Sequence, residues 1–195
     1  MTVPAAPAAH QFSIGRGDVI VVQGTSLPAK VIEAGEVAAG LPPYSHVACF
    51  DHFDANGTPW GLEGRPGGVG WADVSRYLAD PRTLANCAQP KTPAQRAELC
   101  QLNEAMRGTP YAWVTGILAD AYRDLGGDAL WKPDPVTKVV PCHVVCSSYL
   151  AYTYARIGLA SPRPQDWATT EPGDWALFIE QEGWKHAAAP GSPAG

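Results

Sequence analysis

The sequence predicts a single α+β domain in which an antiparallel sheet, open or closed into a barrel, packs against helices. Three observations lead to this prediction. Strand-like segments fill the first half of the chain, and helix-like segments fill the second half. The pair Asn56-Gly57, placed between two strand-like segments, is typical of a hairpin turn. Strands that come first and helices that come later are typical of α+β proteins rather than of doubly wound parallel sheets.

The first half contains four predicted strands and two predicted helices. The β-branched run at residues 19–22 reads as a buried strand, and residues 28–40 have the composition of a helix with Pro28 near its start. Two strands flank the hairpin turn, and a glycine-rich turn leads into a short helix before the last strand. The strands before and after the hairpin turn cover 45–53 and 60–65. The glycine-rich turn covers 67–71, the short helix 73–78 and the last strand 82–88.

The second half is predicted to be helical. Thr92 and Gln95 have the spacing of a capping box, which starts a helix over residues 92–108. Apolar residues recur at helical intervals in 111–125, a proline-rich loop covers 131–141, and a helix over 142–158 ends at Gly158. We expect residues 13–185 to form the domain, with disordered tails at 1–12 and 186–195.

Composition and charge exclude several classes of function. The chain has 195 residues and a net charge of −5, with no basic run, so a nucleic-acid partner is not expected. Residues 1–10 do not read as a secretory signal, and no apolar stretch is long enough to predict a membrane span. The five cysteines are an odd number, which favours reduced thiols. We expect a soluble monomer in the cytoplasm, or one delivered by lysis, in a phage particle or by dedicated secretion.

Two residues are candidates for nucleophilic chemistry. Cys146 opens a helical stretch, and the positive end of a helix dipole lowers the pKa of a thiol and favours its thiolate. His46 starts a strand, on the same face as Ala48. Its imidazole can serve as a general base. Each residue also has a structural reading, as a packing cysteine or a core histidine.

Glu63 is the candidate third member of a triad, holding the imidazole in the correct tautomer. A hairpin centred on Asn56-Gly57 pairs Glu63 with Phe50, which puts it on the correct face but about 13 Å too far along the strand. A different register or a bulge is needed to bring Glu63 to His46. The alternative reading of Glu63 is a solvated charge at a sheet edge.

Several short segments together resemble the permuted branch of the NlpC-type papain-like cysteine peptidases. In that branch the histidine and the polar residue come before the cysteine in the chain. The matching segments are 17–21 (GDVIV), 44–48 (YSHVA), Glu63 followed by 68–69 (GV), 108–113 (GTPYAW) and 145–150 (VCSSYL). The resemblance implies a papain-like core with the Cys146 helix packed on the sheet that carries His46.

The same resemblance implies a cysteine hydrolase that attacks an amide or ester carbonyl. Cys146 would be the nucleophile, His46 its base and Glu63 the third residue, with no metal or organic cofactor. The implied substrates are cell-wall peptide amides, other isopeptides and acyl esters. Acyl transfer or lipid ester hydrolysis is the alternative reaction, and a catalytically idle binding domain is the alternative function. A zinc module built from Cys142, His143, Cys146 and His46 is a further alternative.

Overall fold

The computed structural model describes residues 14–111 and 145–184, which form one sheet and its surrounding helices. The strands are β1 (Val19–Val22), β2 (His46–Phe53), β3 (Pro59–Arg65), β4 (Gly68–Asp73) and β5 (Leu84–Ala85). The helices in these ranges are α1 (Leu27–Ala38), α2 (Ser75–Leu78), α3 (Pro93–Met106), α4 (Cys146–Arg156) and α5 (Pro172–Gln181), with a short 3-10 helix at Trp167–Thr169.

The five strands of the described sheet follow the order β4-β3-β2-β1-β5, and every neighbouring pair is antiparallel. β4 and β5 form the two edges, so the sheet is open and the barrel alternative is wrong. The predicted α+β class is confirmed.

Two elements differ from their predictions. The segment at 67–71, predicted as a turn, contains most of β4: only Pro66 and Gly67 lie between the strands, and Gly67 has the positive φ that suits such a tight turn. Helix α5 was not predicted. The capping box of α3 is confirmed, because the Gln95 amide donates to the Thr92 hydroxyl and the Thr92 amide donates to the Gln95 side chain. The predictions for 1–12, 111–125, 131–141 and 186–195 lie wholly or almost wholly outside the described residues.

Alternate residues of the inner strands face two different apolar clusters, as strand geometry requires. Val47 and Cys49 of β2 pack in the larger cluster, which is built around α4, whereas Ala48 and Phe50 pack toward α2. The residues of α4 from Cys146 to Tyr154 are all buried. This helix therefore forms the centre of the molecule, and its first turn lies against the sheet.

A buried polar network fixes the start of β1 to α4. The Lys91 ammonium lies 2.7 Å from a carboxylate oxygen of Asp18, and both side chains are fully buried. Asn86 accepts from the Val19 amide and donates to the Tyr154 hydroxyl at 3.1 Å. Because these charges and dipoles satisfy one another, the burial costs far less than it would for unpaired groups.

A bulge in β2 changes the register of the β2–β3 hairpin. Next to the turn, His52 pairs with Trp60, but Phe50 pairs with Gly61, so Asp51 is an extra residue on β2. The turn itself differs by one residue from the simple hairpin, since Phe53 pairs with Pro59, and the bulge adds one more. Glu63 therefore lies opposite Ala48, not opposite Phe50 as the simple hairpin predicts. The two shifts together move Glu63 toward His46 and keep both residues on one face.

Candidate active site

Cys146 is the first residue of α4 and is almost completely buried. The hydroxyl of Ser148 accepts from the Val145 amide at 3.0 Å, and the hydroxyl of Ser147 donates to the Thr170 carbonyl at 2.6 Å. The Trp175 indole donates to the Ser147 carbonyl at 3.2 Å. These contacts fix the first turn of α4, so the thiol is held at the positive end of the helix dipole.

The absence of a side chain at Gly64 lets the start of α4 approach β3. A Cβ atom at this position would lie 3.3 Å from the Cα atom of Cys146 and 3.2 Å from the ring of Tyr111. Both separations are tighter than most contacts that a real Cβ makes. Gly64 therefore brings the nucleophile candidate and Tyr111 together at the sheet surface.

His46 lies where β2 begins, and its Nε2 atom is 2.7 Å from Oε2 of Glu63. The preceding residue is held firmly: the Ser45 hydroxyl accepts from the Gly24 amide at 2.8 Å and donates to Glu33 of α1 at 3.1 Å. Because Nε2 is engaged by Glu63, Nδ1 is the ring nitrogen that remains for the thiol of Cys146.

Glu63 is almost fully buried and has three partners. Besides the imidazole of His46, it accepts a hydrogen bond from the hydroxyl of Tyr77 at 2.9 Å, on the same Oε2 atom. Arg65 forms an ion pair with the other oxygen, Oε1. A buried carboxylate with this many partners keeps its charge and a fixed orientation.

Burial and charge act in opposite directions on Cys146 and His46. Burial tends to raise the pKa of Cys146, but the charge and hydrogen bond of His46, with smaller contributions from the Val47 amide and the Tyr111 side chain, lower it overall. Burial tends to lower the pKa of His46, but the Cys146 thiolate and Glu63 raise it to about 10. The pair therefore favours a thiolate beside an imidazolium.

The other described cysteines lack such a partner. Burial raises the pKa of Cys49 to about 12 and the pKa values of Cys87 and Cys100 to about 11. Among the described thiols, only Cys146 is poised as a nucleophile near neutral pH.

The pKa of Glu63 is lowered because, although burial opposes ionisation, His46, Arg65 and Tyr77 favour the carboxylate.

A groove of about 540 Å³ leads to this cluster. His46, Gly64 and Tyr111, which all contact Cys146, line it together with Glu63. Further lining residues come from the start of α1, the end of β3 and α2. The groove therefore gives access to His46 and to the surroundings of Cys146, whose side chain is itself almost completely buried.

The structure brings together all three residues that the sequence singled out. No sequence pattern indicates the support of Tyr77 for Glu63, because its short helix carries no motif. The role of Gly64 is likewise not predicted, although a glycine in a predicted strand is a signal of close approach. Tyr111 also lines the groove.

The described residues do not fit a metal site. No group of three or more His, Cys, Asp or Glu side chains within 14–111 and 145–184 is arranged to hold an ion. The Nε2 atom of His46 is engaged by Glu63. Cys142 and His143, the other residues of the zinc alternative, lie outside the described residues.

Comparison with known proteins finds a similar fold but no family. No protein-family model matches the chain, and no curated protein matches it. A solved structure, titled metalloprotein yiiX from Escherichia coli O157:H7 (DUF1105), is similar with a TM-score of 0.50 and 17% identity. The match covers 88% of this chain and 84% of that chain. At this identity the likeness concerns the fold alone.

Within the described residues, no helix has the length and apolar character needed to cross a membrane.

Proposed function

We propose that this protein is a cysteine hydrolase of the papain-like type, in which Cys146 attacks an amide or ester carbonyl. The observation that carries the proposal is the coupled arrangement of Cys146, His46 and Glu63, in which a buried carboxylate 2.7 Å from the imidazole supports a thiolate at a helix N-terminus. The arrangement also fits the permuted NlpC-type resemblance of the sequence. Cell-wall peptide and isopeptide amides are the substrates that this resemblance favours.

In the proposed mechanism the Cys146 thiolate forms a bond to the carbonyl carbon, and the electron pair of the C=O double bond moves to the oxygen. Amide N–H groups at the start of α4 stabilise this oxyanion. The imidazolium of His46 then gives its proton to the leaving amine or alcohol, which leaves an acyl group on Cys146. His46, now neutral, takes a proton from the incoming water, and the acid product is released. An alcohol or amine in place of water would give acyl transfer.

Labelling by a thiol-reactive probe tests this proposal directly. A neutral iodoacetamide probe at pH 7, followed by mass-spectrometric mapping, should modify Cys146 ahead of Cys49, Cys87 and Cys100. Cys146→Ala should abolish labelling and turnover, whereas Cys142→Ala should retain most of both. A Cys146 that reacts no faster than the other cysteines would contradict the proposal and favour the idle binding domain.

Substrate screening then separates the reactions. Purified protein is incubated with cell-wall peptides, isopeptides and acyl esters, with and without an added amine acceptor, and intact mass reports an acyl group on Cys146. Hydrolysis predicts free acid as the product in both mixtures, whereas acyl transfer predicts acylated acceptor. Metal analysis of the same preparation tests the zinc alternative: stoichiometric zinc that is lost in Cys146→Ala would support it.

A further inference from the structure

Two arginines line the groove that leads to Cys146. Arg65 follows Glu63 at the end of β3, and Arg76 lies in α2. The Arg65 side chain is 47% exposed, and Arg76 is exposed as well. A guanidinium carries five N–H donors, and in each arginine one terminal nitrogen makes the contact with the network around Glu63. Both groups therefore retain donors beside the groove.

Arg76 forms no direct ion pair within the described parts of the chain. It donates to the Tyr77 hydroxyl at 2.9 Å and lies 4.8 Å from the centre of the Tyr77 ring. Glu63 and Asp73 attract its charge only at longer range. The carboxylates that line the groove are paired with other cations: Glu63 with Arg65 and His46, and Asp80 with Arg82. Arg76 therefore presents a guanidinium beside the groove that has no direct carboxylate contact.

We propose that Arg76, assisted by Arg65, binds an anionic group of the substrate, a carboxylate or a phosphate. Guanidinium groups match the geometry of both anions and bind them through paired N–H donors. This inference rests on the proposed function, because it assumes that the carbonyl of the same substrate lies at Cys146. It narrows the substrate class to acyl compounds that carry a negative charge near the scissile bond.

The hydrogen-bond chain around Glu63 limits the distance between Arg76 and the imidazole of His46. Arg76, Tyr77, Glu63 and His46 are joined by contacts of 2.9, 2.9 and 2.7 Å. Along this path the Arg76 guanidinium lies at most about 8.5 Å from the imidazole, so the anionic group is expected near the scissile bond. A peptide with a free carboxylate on the residue next to the scissile amide carries such a group.

Alkylation of Cys146 by two reagents of different charge tests the anion site without a substrate. Iodoacetate, which is anionic, and iodoacetamide, which is neutral, both form an S–C bond to the same thiolate and release iodide. The rate constant for iodoacetate divided by that for iodoacetamide is therefore independent of the thiolate fraction. In the native protein this ratio should exceed the same ratio measured for glutathione. Arg76→Gln should lower it roughly three- to tenfold, and Arg76→Lys should retain most of it.

Arg16→Gln is the matched control, because it removes one positive charge at a surface pair with Asp51, away from the groove. It should leave the ratio unchanged. Equal ratios in the native protein, Arg76→Gln and Arg16→Gln would overturn the anion site, while rapid alkylation of Cys146 in all three would leave the proposed function intact. Failure of Cys146 to react with either reagent would instead count against the proposed function.

Protection at constant ionic strength identifies the anion. Acetate and inorganic phosphate are compared as protectants of Cys146 against iodoacetamide, in the native protein and in Arg76→Gln. Stronger protection by phosphate assigns a phosphate-bearing substrate, and stronger protection by acetate assigns a carboxylate. In either case the variant should lose the protection. Protection that is equal in the native protein and in Arg76→Gln would contradict the role of Arg76.

Discussion

His46 and Glu63 are diagonal rather than opposite neighbours in the β2–β3 pair, yet their side chains meet at 2.7 Å. Glu63 lies opposite Ala48, so the carboxylate must reach along the strand to the imidazole. Diagonal residues in a sheet are about 7 to 8 Å apart at the backbone, a distance that only long side chains bridge. The length of the glutamate side chain is therefore as important as its charge.

The first prediction separates these two properties. Glu63→Asp keeps the charge but shortens the side chain by one methylene, and Glu63→Gln keeps the length but removes the charge. We expect both variants to lower the rate of Cys146 alkylation at pH 6 by roughly tenfold, since either change weakens the stabilisation of the imidazolium. Iodoacetamide kinetics measure the rate. Native reactivity in Glu63→Asp would mean that the contact is not required.

The second prediction concerns the pH dependence of the thiolate. The lowered pKa of Cys146 predicts that alkylation rises in the acid range and reaches a plateau through neutral pH. The imidazolium, with a pKa of about 10, loses its proton only at the alkaline end, so turnover should fall there. His46→Ala should raise the pKa of Cys146 and lower its alkylation at pH 7 by roughly thirtyfold.

Within the same reaction, Cys49, Cys87 and Cys100 serve as internal references. Their raised pKa values predict slow alkylation that is the same in the native protein and in His46→Ala. If Cys146 kept its reactivity at pH 7 in His46→Ala, the helix N-terminus alone would account for the thiolate, and His46 would lose its assigned role.

The third prediction tests the hydroxyl of Tyr77, which shares Oε2 of Glu63 with His46. Tyr77→Phe removes two hydrogen bonds, the one donated to Glu63 and the one accepted from Arg76, each worth about 1 kcal/mol, and leaves the ring in place. We expect a few-fold loss of turnover and a shift of the acid limb of alkylation to higher pH. Tyr44→Phe is the control, because its hydroxyl donates at 3.3 Å to the Arg82 carbonyl instead. Identical acid limbs in the two variants would exclude a positioning role for Tyr77.

The fourth prediction addresses the close approach at Gly64. Gly64→Ala places a methyl group against Cys146 and Tyr111, so the start of α4 must move by a few tenths of an ångström. We expect a loss of about 1 to 3 kcal/mol in the free energy of unfolding, together with slower alkylation of Cys146. Gly70→Ala is matched to it, since no atom lies within 4 Å of the added Cβ there. Equal effects of the two substitutions would rule out this explanation.

The fifth prediction separates stability from chemistry. Lys91→Met leaves the buried carboxylate of Asp18 with the Gly15 amide at 2.7 Å and the weaker contact to Arg96 at 3.5 Å. The free energy of unfolding in urea should fall by about 3 kcal/mol, because a buried charge that has lost its close ion-pair partner is costly. Cys146 alkylation at pH 7 should be unchanged in the folded protein. The double variant Asp18→Asn/Lys91→Met should recover part of the stability, and a fully stable Lys91→Met would contradict the assignment.

Sequence patterns predict much of this arrangement because the underlying interactions are local. Strand alternation correctly assigns Ala48 and Phe50 to one cluster and Val47 and Cys49 to the other. The capping box of α3 depends on two residues in one turn of helix. Cys146 at a helix start and His46 at a strand start are likewise predicted from their own neighbours.

Features that depend on contacts between distant segments escape such patterns. The turn and the bulge at Asp51 each shift Glu63 by one position relative to the simple hairpin, and no local residue signals either change. Asp51 instead pairs with Arg16, far away in the sequence. β4 is not predicted because its glycines have a low strand propensity, and the strand is stabilised by pairing with β3 instead. The partnership of Tyr77 with Glu63 likewise appears only when α2 packs on the sheet.

His46, Glu63 and Tyr77 all lie within one continuous stretch of chain, whereas Cys146 follows much later. During synthesis the hairpins of that stretch leave the ribosome first, and short-range strand pairs form early in folding. In the proposed site, His46 and Glu63 can therefore meet while Cys146 is still an ordinary, weakly reactive thiol. On this proposal the thiolate forms only when α4 packs on the sheet, so the reactive species exists only once assembly of the domain is complete.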